Sequence, residues 1–398
     1  MALLAGSSKL LRAMNESAAL AHLLERGQLT RNELRELTGL SKPTVSEALR
    51  RLTEAGLASV VGHVSAGPGP NAEVYAANPD AAFAAAVSVR NSGDTSTPSL
   101  AAAVCDLSGV VRGRVESTVD YLRTEPATAV ADVVAQLCAA ADVPAERIRY
   151  VQLGVAGAYD EHTDTIHHME VPGWSRPGLL GAIRTRLGTE VGVDNDVNLA
   201  AVAERGRGVA AGADSFALLW LGDGLGLAID LGGTLLRGAR GGAGEIGYMP
   251  LFAPESHDRK GDFQDLVGGP AVLALAAEHG FTGGTSGEAV AAAIAAGSDA
   301  TRPGAAGTFL AALADRIAVG LAAVVAVLDP PLVVLAGEVG QAGGAALRDA
   351  VSAAMAKAAP LETVIAATSI HEDAVLLGAM DAGITVVRNA LIAAVRPT

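Results

Sequence analysis

The stretch TRNELRELTGLSKPTVSEALRRL, residues 30–52, decides how the front of this chain folds. Thr30 can cap a helix with Glu33, three residues on, as its capping-box partner, and Leu34 and Leu37 supply an apolar side. Gly39 then turns the chain sharply. Ser41 caps a second helix with Pro43 in its first turn, where the missing N–H costs nothing. Val45, Ala48, Leu49 and Leu52 give that helix one apolar face, and Gly56 stops it. Two short helices across a tight glycine turn, the second opening on small polar and basic residues, have the layout of a helix-turn-helix.

Upstream, Leu10 to Glu25 reads as a further helix, with Leu10, Leu11, Met14, Ala18, Leu20, Ala21 and Leu24 near helical spacing and a stop at Gly27. Downstream, Leu57 to Val61 and Glu73 to Ala76 read as strands flanking a Gly/Pro-rich loop, Gly62 to Asn71, which would be a wing. A winged helix-turn-helix is therefore expected over residues 1–80. On its recognition helix, Ser41, Lys42, Thr44, Ser46 and Glu47 face outward near the N-terminal end, followed by Arg50 and Arg51. Lys42 and Arg50 would neutralise phosphates, Thr44 and Ser46 would hydrogen-bond bases or phosphates, and Asn71 would reach DNA from the wing. The alternative is a small helical bundle with a solvated charged face.

The net charge of −14 speaks against DNA until it is divided. Residues 1–78 carry eight Lys/Arg and seven Glu, a head of +1 on a body of −15. Specific binding survives that balance, with weak non-specific affinity. Cys105 and Cys138 make no disulfide framework and fit a reducing cytoplasm. No unbroken apolar run reaches the roughly 20 residues of a membrane helix, so no membrane association is expected.

From about Ala81 the pattern changes to α/β. Ala82 to Val89, Leu100 to Asp106 and about Val110 to Val119 read as strands, Ala127 to Ala141 as a helix, and Ile148 to Val155 as a buried strand. Phe216 to Leu221, Gly226 to Leu231 and Leu235 to Arg237 restart a strand-rich pattern that leads again into helices. Two similar halves predict a bilobal body with a cleft.

Four runs in this body resemble the ROK family (repressors, open reading frames, kinases). They are Leu153–Gly154–Val155–Ala156–Gly157, Val193–Asp194–Asn195–Asp196–Val197–Asn198–Leu199–Ala200–Ala201, Gly242–Ala243–Gly244–Glu245–Ile246–Gly247 and Leu328–Asp329–Pro330–Pro331–Leu332–Val333–Val334–Leu335–Ala336–Gly337. With the head, the layout is similar to that of the family's sugar-responsive transcriptional repressors. The resemblance implies an actin-like ATPase (sugar-kinase-like) fold over residues 81–398. Lobe 1 would span about 81–197 plus a C-terminal helix from about 380, and lobe 2 about 198–379. It implies a sugar or oligosaccharide effector held near Gly157 by Asn195, Asp196 and Glu245, with Asp196 at the position of the kinases' general base. Otherwise Asp196 would cap a helix and Glu245 would be a solvated loop carboxylate.

The departures from the family point away from catalysis. Where its kinases carry an Asp-x-Gly-Gly-Thr phosphate loop, this chain has Val89–Arg90–Asn91–Ser92–Gly93–Asp94–Thr95. Asp230–Leu231–Gly232–Gly233–Thr234 falls at an ordinary hairpin turn instead. A second loop, Gly-Thr-Gly in the kinases, is Gly222–Asp223–Gly224, which sets like charge against phosphate. The zinc-binding histidine is replaced by Tyr248, Pro250 to Gln264 lacks cysteine, and His257 alone makes no zinc site. Tyr248 and Gln264 would line the sugar pocket with altered chemistry. The wing segment Gly67–Pro68–Gly69–Pro70–Asn71 lacks the family's arginine.

The expectation is a cytoplasmic, homodimeric repressor of carbohydrate-utilisation genes that binds operator double-stranded DNA. It would be controlled by a sugar, with no catalytic residues, metal or cofactor. A DNA-binding regulator with a degenerate pocket, controlled by a protein partner or by abundance, is the alternative. An active sugar kinase is a lesser one.

Overall fold

The computed structural model describes residues 2–65, 71–90, 98–169, 171–251, 261–297, 304–358, 361–371 and 373–395. The chain opens with α1 (Ala2–Arg26), β1 (Leu29–Thr30), α2 (Arg31–Thr38), α3 (Lys42–Glu54), β2 (Ala58–Val64) and β3 (Ala72–Ala77). The capping signals act as expected: the Thr30 side chain accepts from the Glu33 N–H, and the Glu33 carboxylate accepts from the Thr30 N–H. Ser41 accepts from the Thr44 N–H, and Gly39, at φ 70°, makes the left-handed turn between α2 and α3. The three strands pair antiparallel in the order β1-β3-β2. Half of the wing loop, residues 66–70 with Gly67 to Pro70 among them, lies outside the described residues.

The body uses one design twice. β4 (Phe83–Arg90), β5 (Ser99–Asp106) and β6 (Val111–Thr118) form an antiparallel meander, and α4 (Pro126–Ala141) crosses to β7 (Ile148–Val155), parallel to β4. A hairpin of β8 (Ala158–Asp160) and β9 (Thr165–His167), then α5 (Leu179–Leu187), leads to β10 (Glu190–Asn195), parallel to β7. Behind α6 (Asp196–Arg207), the strands β11 (Phe216–Leu221), β12 (Leu225–Leu231) and β13 (Thr234–Leu235) repeat the meander. Four helices follow: α7 (Phe263–Val267), α8 (Gly269–Glu278), α9 (Ser286–Gly297) and α10 (Ala305–Leu328). β14 (Leu332–Ala336), α11 (Gly337–Ala358, broken at Gly344) and β15 (Val364–Ala367) complete the second half, and α12 (Ala374–Ala394) returns to the first sheet. The orders are β10-β7-β4-β5-β6 and β13-β12-β11-β14-β15. Each sheet thus carries a meander on one side of its first strand and two parallel strands on the other. Gly232–Gly233, inside the Asp230 to Thr234 run, is the two-residue turn between β12 and β13, and the Asp230 carboxylate accepts from the Gly233 N–H.

The first sheet is covered on both sides, which is why β4 and β5 read as unbroken apolar runs. Phe83, Ala85, Val87, Val89, Leu100, Ala102 and Val104 join a core with α4 and α5. Ala84, Ala86, Ala101, Ala103 and Cys105 face the other way, into a core containing Leu376, Ala379, Met380, Ile384 and Val387 of α12. That second core does not end at the body. It continues through Ala19, Leu20 and Leu23 of α1 to Val45, Leu49 and Leu52 of the recognition helix. The Ser17 hydroxyl also donates to the carbonyl of Ile392, 2.6 Å away, tying α1 to the end of α12.

Two helices, α10 and α12, are long and apolar enough by length and mean hydropathy to cross a membrane, although neither is an unbroken apolar run. Asp315 and Arg316 interrupt the first and Asp381 and Arg388 the second, and their buried faces include Phe309, Leu313, Ile317 and Leu321, or Leu376, Ala379 and Met380. Those side chains are core of the fold.

Candidate functional site

A cavity of about 970 Å³ opens where the parallel strands of both halves end, the position at which α/β sheets bind ligands. Asn195 is the last residue of β10, paired with Val155 of β7, and Gly157 lies two residues past that partner. The register therefore brings Gly157, Asn195 and Asp196 to one edge. Glu245, Tyr248 and Gln264 reach the same cavity from the second half.

The helix cap is Asn195 and not Asp196: its side-chain oxygen accepts from the N–H groups of Val197 and Asn198, and its amide donates to Gly157 O at 3.3 Å. Asp196 is thereby left half-buried at the cavity floor, with one oxygen accepting from the Val197 N–H at 2.8 Å. Burial pushes its carboxyl up to about 7, against that hydrogen bond and with help from the Glu245 charge. Glu245 is also pushed up by burial, a rise limited by the nearby His168. The Tyr248 hydroxyl lies 3.4 Å from His168 Nδ1, and the two rings sit 5.4 Å apart at the mouth. Gln264 lines the cavity, but its amide is already engaged: its oxygen accepts from Leu225 N–H at 2.9 Å and its nitrogen donates to Asp223 O at 3.0 Å. It clamps the turn between β11 and β12. Gln264→Glu removes the donor and adds charge beside Asp223. It is expected to cost about 1–2 kcal/mol at pH 8, read as a lower melting temperature, with less loss at pH 5. Equal melting at both pH values would show that the clamp contributes nothing.

Several residues here escaped sequence reasoning. Asp194, inside the Val193–Ala201 run, accepts from Asn198 Nδ2 at 3.1 Å and from Arg237 at 2.6 Å, joining β10 to the second half. Arg90, at the end of β4, pairs with Asp373 at the start of α12 and with Glu116. Glu338 opens α11 directly after Gly337; burial pushes its carboxyl up, and Asp223 adds to the rise. The quoted run stopped one residue short of it. Lone carboxylates of this kind carry no periodic signal, so only the fold brings them together.

Among the described residues no group of three or more His, Cys, Asp or Glu could hold a metal; His257 lies outside them, as do Asn91 to Thr95 of the first loop.

On the head, Val45, Ala48, Leu49 and Leu52 are buried, and Ser41, Lys42 and Arg50 are exposed, with Thr44 and Ser46 partly so. Ser41 Oγ and Thr44 Oγ1 share a 2.8 Å hydrogen bond. Arg50 is held by Glu47 and Glu54, while Arg51 leans back onto Glu47 and Glu16 of α1. Hydrogen bonds from Arg50 and Arg51 hold the Glu47 carboxyl down to about 2. Lys42 has no ion pair among the described residues. Asn71 is exposed at the start of β3.

The ROK family profile matches residues 94–384, and a MarR family profile matches residues 11–65. The bifunctional enzyme NanE/NanK of Brucella suis biovar 1 is 33% identical over 201 residues, covering 50% of this chain and 36% of that protein. The xylose repressor of Bacillus subtilis is 20% identical over 244 residues, 60% of this chain and 61% of that one. The chain thus spans less than two thirds of the length of either. A solved ROK family transcriptional regulator, a homologue of the E. coli MLC protein, has TM-score 0.69 at 17% identity over 97% of this chain and 98% of that one. That likeness is one of fold.

Proposed function

Because this chain belongs to the ROK family and carries a MarR-type winged helix ahead of that match, we propose that it is a sugar-controlled repressor of carbohydrate-utilisation genes. Residues 1–80 read operator DNA, and residues 81–398 form the two-lobed sensor, divided at about 197 with the last helix returning to lobe 1. The protein acts in the cytoplasm as a homodimer, placing two α3 helices about 34 Å apart in successive major grooves. Ser41, Lys42, Thr44, Ser46, Arg50 and Arg51 face the DNA, with Asn71 at the wing.

In the cleft, sugar hydroxyls meet Asn195, Asp196 and Glu245, with Gly157 and Tyr248 as walls. The observation that carries this reading is the shared apolar core. Both α6, starting at Asn195 and Asp196, and α12, starting at Asp373, begin in the cleft, and α12 packs on α1 of the head. A ligand that prefers one lobe arrangement therefore biases the head, by no more than its difference in affinity for the two arrangements. Asp223, at the position of the kinases' second phosphate loop, and Glu338 both line the cleft, and carboxylates there would disfavour a triphosphate.

Fluorescence anisotropy on DNA from upstream of the gene, titrated with sugars, tests the proposal. Lys42→Ala is expected to weaken binding and to reduce the salt slope by roughly one. Arg50→Ala is expected to do less, because its guanidinium must leave Glu47 and Glu54 to meet phosphate. Wild-type binding by both variants would refute the placement of α3. The position of Asp196 and the likeness to enzymes of the family such as NanE/NanK favour a sugar kinase as the second reading, and ADP release that requires both sugar and Asp196 would establish one.

A further inference from the structure

The sugar-facing group accounts for only part of the cavity. At about 970 Å³ it lies near the top of the roughly 300–1,000 Å³ range of small-molecule sites, more room than one pyranose ring needs. Away from Asn195 and Glu245 it is lined by Asp223, Thr285, Ser286, Glu338 and Gln341. Ser286 is 1% exposed, lies on the cavity wall, and its hydroxyl has no hydrogen-bond partner among the described residues. The Glu338 side chain occupies space that two glycines leave open: a Cβ on Gly222 would fall 2.0 Å from its Oε2, and one on Gly287 3.0 Å from its Cβ. Gln341, on the same wall, donates its amide to Ile370 O at 2.7 Å, and its side-chain oxygen has no hydrogen bond among the described residues.

This half offers two carboxylates, two hydroxyls and an amide oxygen. Among the described residues the only guanidinium or ammonium group on the cavity wall is that of Arg90, already paired with Asp373 and Glu116. Such a set repels an anion. It also matches what a second ring of hydroxyl groups requires, since carboxylates and amide oxygens accept from sugar O–H groups and the serine and threonine hydroxyls can donate or accept.

We propose that the half of the cleft formed by Asp223, Ser286, Glu338 and Gln341 is a second glycosyl subsite, so that the effector is an uncharged oligosaccharide of at least two rings. The inference rests on the sugar-sensing reading above and names the class of its ligand.

Trp220 lines the cavity and the other tryptophan, Trp174, is fully buried outside it, so tryptophan emission reports occupancy. Glucose, xylose and N-acetylglucosamine are titrated beside cellobiose, maltose, xylobiose and chitobiose, with AMP-PNP as the anionic control. At least one disaccharide is expected to bind on the order of tenfold tighter than its own monosaccharide. In Glu338→Ala that ratio is expected to fall to about one, and Glu338→Gln, which keeps an acceptor oxygen, is expected to restore most of it. Monosaccharide binding with no disaccharide advantage overturns the second subsite and leaves the sensing reading intact. So does an unchanged ratio in Glu338→Ala, or displacement of the disaccharide by AMP-PNP. If no sugar binds at all, both fall together.

Discussion

Replacing Asp196 with asparagine is expected to raise the melting temperature at pH 8 by roughly 2–5 °C and to abolish stabilisation by sugar. The carboxyl moves from an ordinary value of 3.8 to about 7 on folding. Between those values the folded protein holds a proton that the unfolded chain has released. The group's stabilising contribution is therefore complete below about pH 4 and lost as pH rises through about 7. Above neutrality a desolvated charge feels Glu245 and Glu338, and among the described residues no cation is bonded to it. A gap of about three pH units corresponds to about 4 kcal/mol, and the partial opening to the cleft reduces this to about 2–4 kcal/mol. Asparagine keeps the shape and the hydrogen bond to Val197 but carries no charge. Melting curves from pH 4.5 to 9 should fall more steeply for the wild type than for the variant. Parallel curves would mean that the carboxylate is solvated. Gain of stability with loss of response is the pattern of a residue kept for function.

Gly378→Ala is expected to be among the most damaging single-methyl changes in the chain. Its new Cβ would lie 1.7 Å from the carbonyl oxygen of Leu199 and 2.6 Å from its carbonyl carbon, so α12 and α6 would have to move apart. Backbone cannot rotate aside as a side chain can. A cost of about 3 kcal/mol or more follows, a fall of roughly 4 °C or more in melting temperature. Gly383, one and a half turns along the same helix, is the control, because its added Cβ would meet nothing nearer than 3.5 Å. Gly383→Ala should be neutral or stabilise by up to about 1 kcal/mol through helix propensity. If Gly378→Ala melts like the wild type, the close approach of α6 and α12 is wrong.

Local chemistry made the head legible. Thr30, Glu33, Gly39, Ser41 and Pro43 each act within one turn, so caps and turns follow from spacing. Alternation along β4 and β5 was hidden for a related reason: both faces are buried, and alanine on one side reads like valine on the other. The start of α1 at Ala2, not Leu10, escaped because Gly6, Ser7 and Ser8 are poor helix-interior residues and read as chain leading into a helix. In the cleft, Asn195, Asp196 and Glu245 lie in recognisable runs. Glu338, Asp194 and the Arg90–Asp373 pair acquire meaning only through contacts across many residues, as Arg90 and Asp373 do across 283 positions. Similarly, Arg50 is legible as a basic residue on an outward face, but not as one held by two glutamates.

The apolar layer running from Leu49 through Leu20 to Ile384 has a consequence for anyone wishing to exchange the head of this protein. Heads of such proteins invite exchange as cassettes, with a splice near residue 80. Here a transplanted head would arrive without the final helix its own α1 was shaped against, and two mismatched oily faces would meet. The unit that travels whole is discontinuous, the first 80 residues together with the last two dozen, and a working hybrid would inherit both from the same parent.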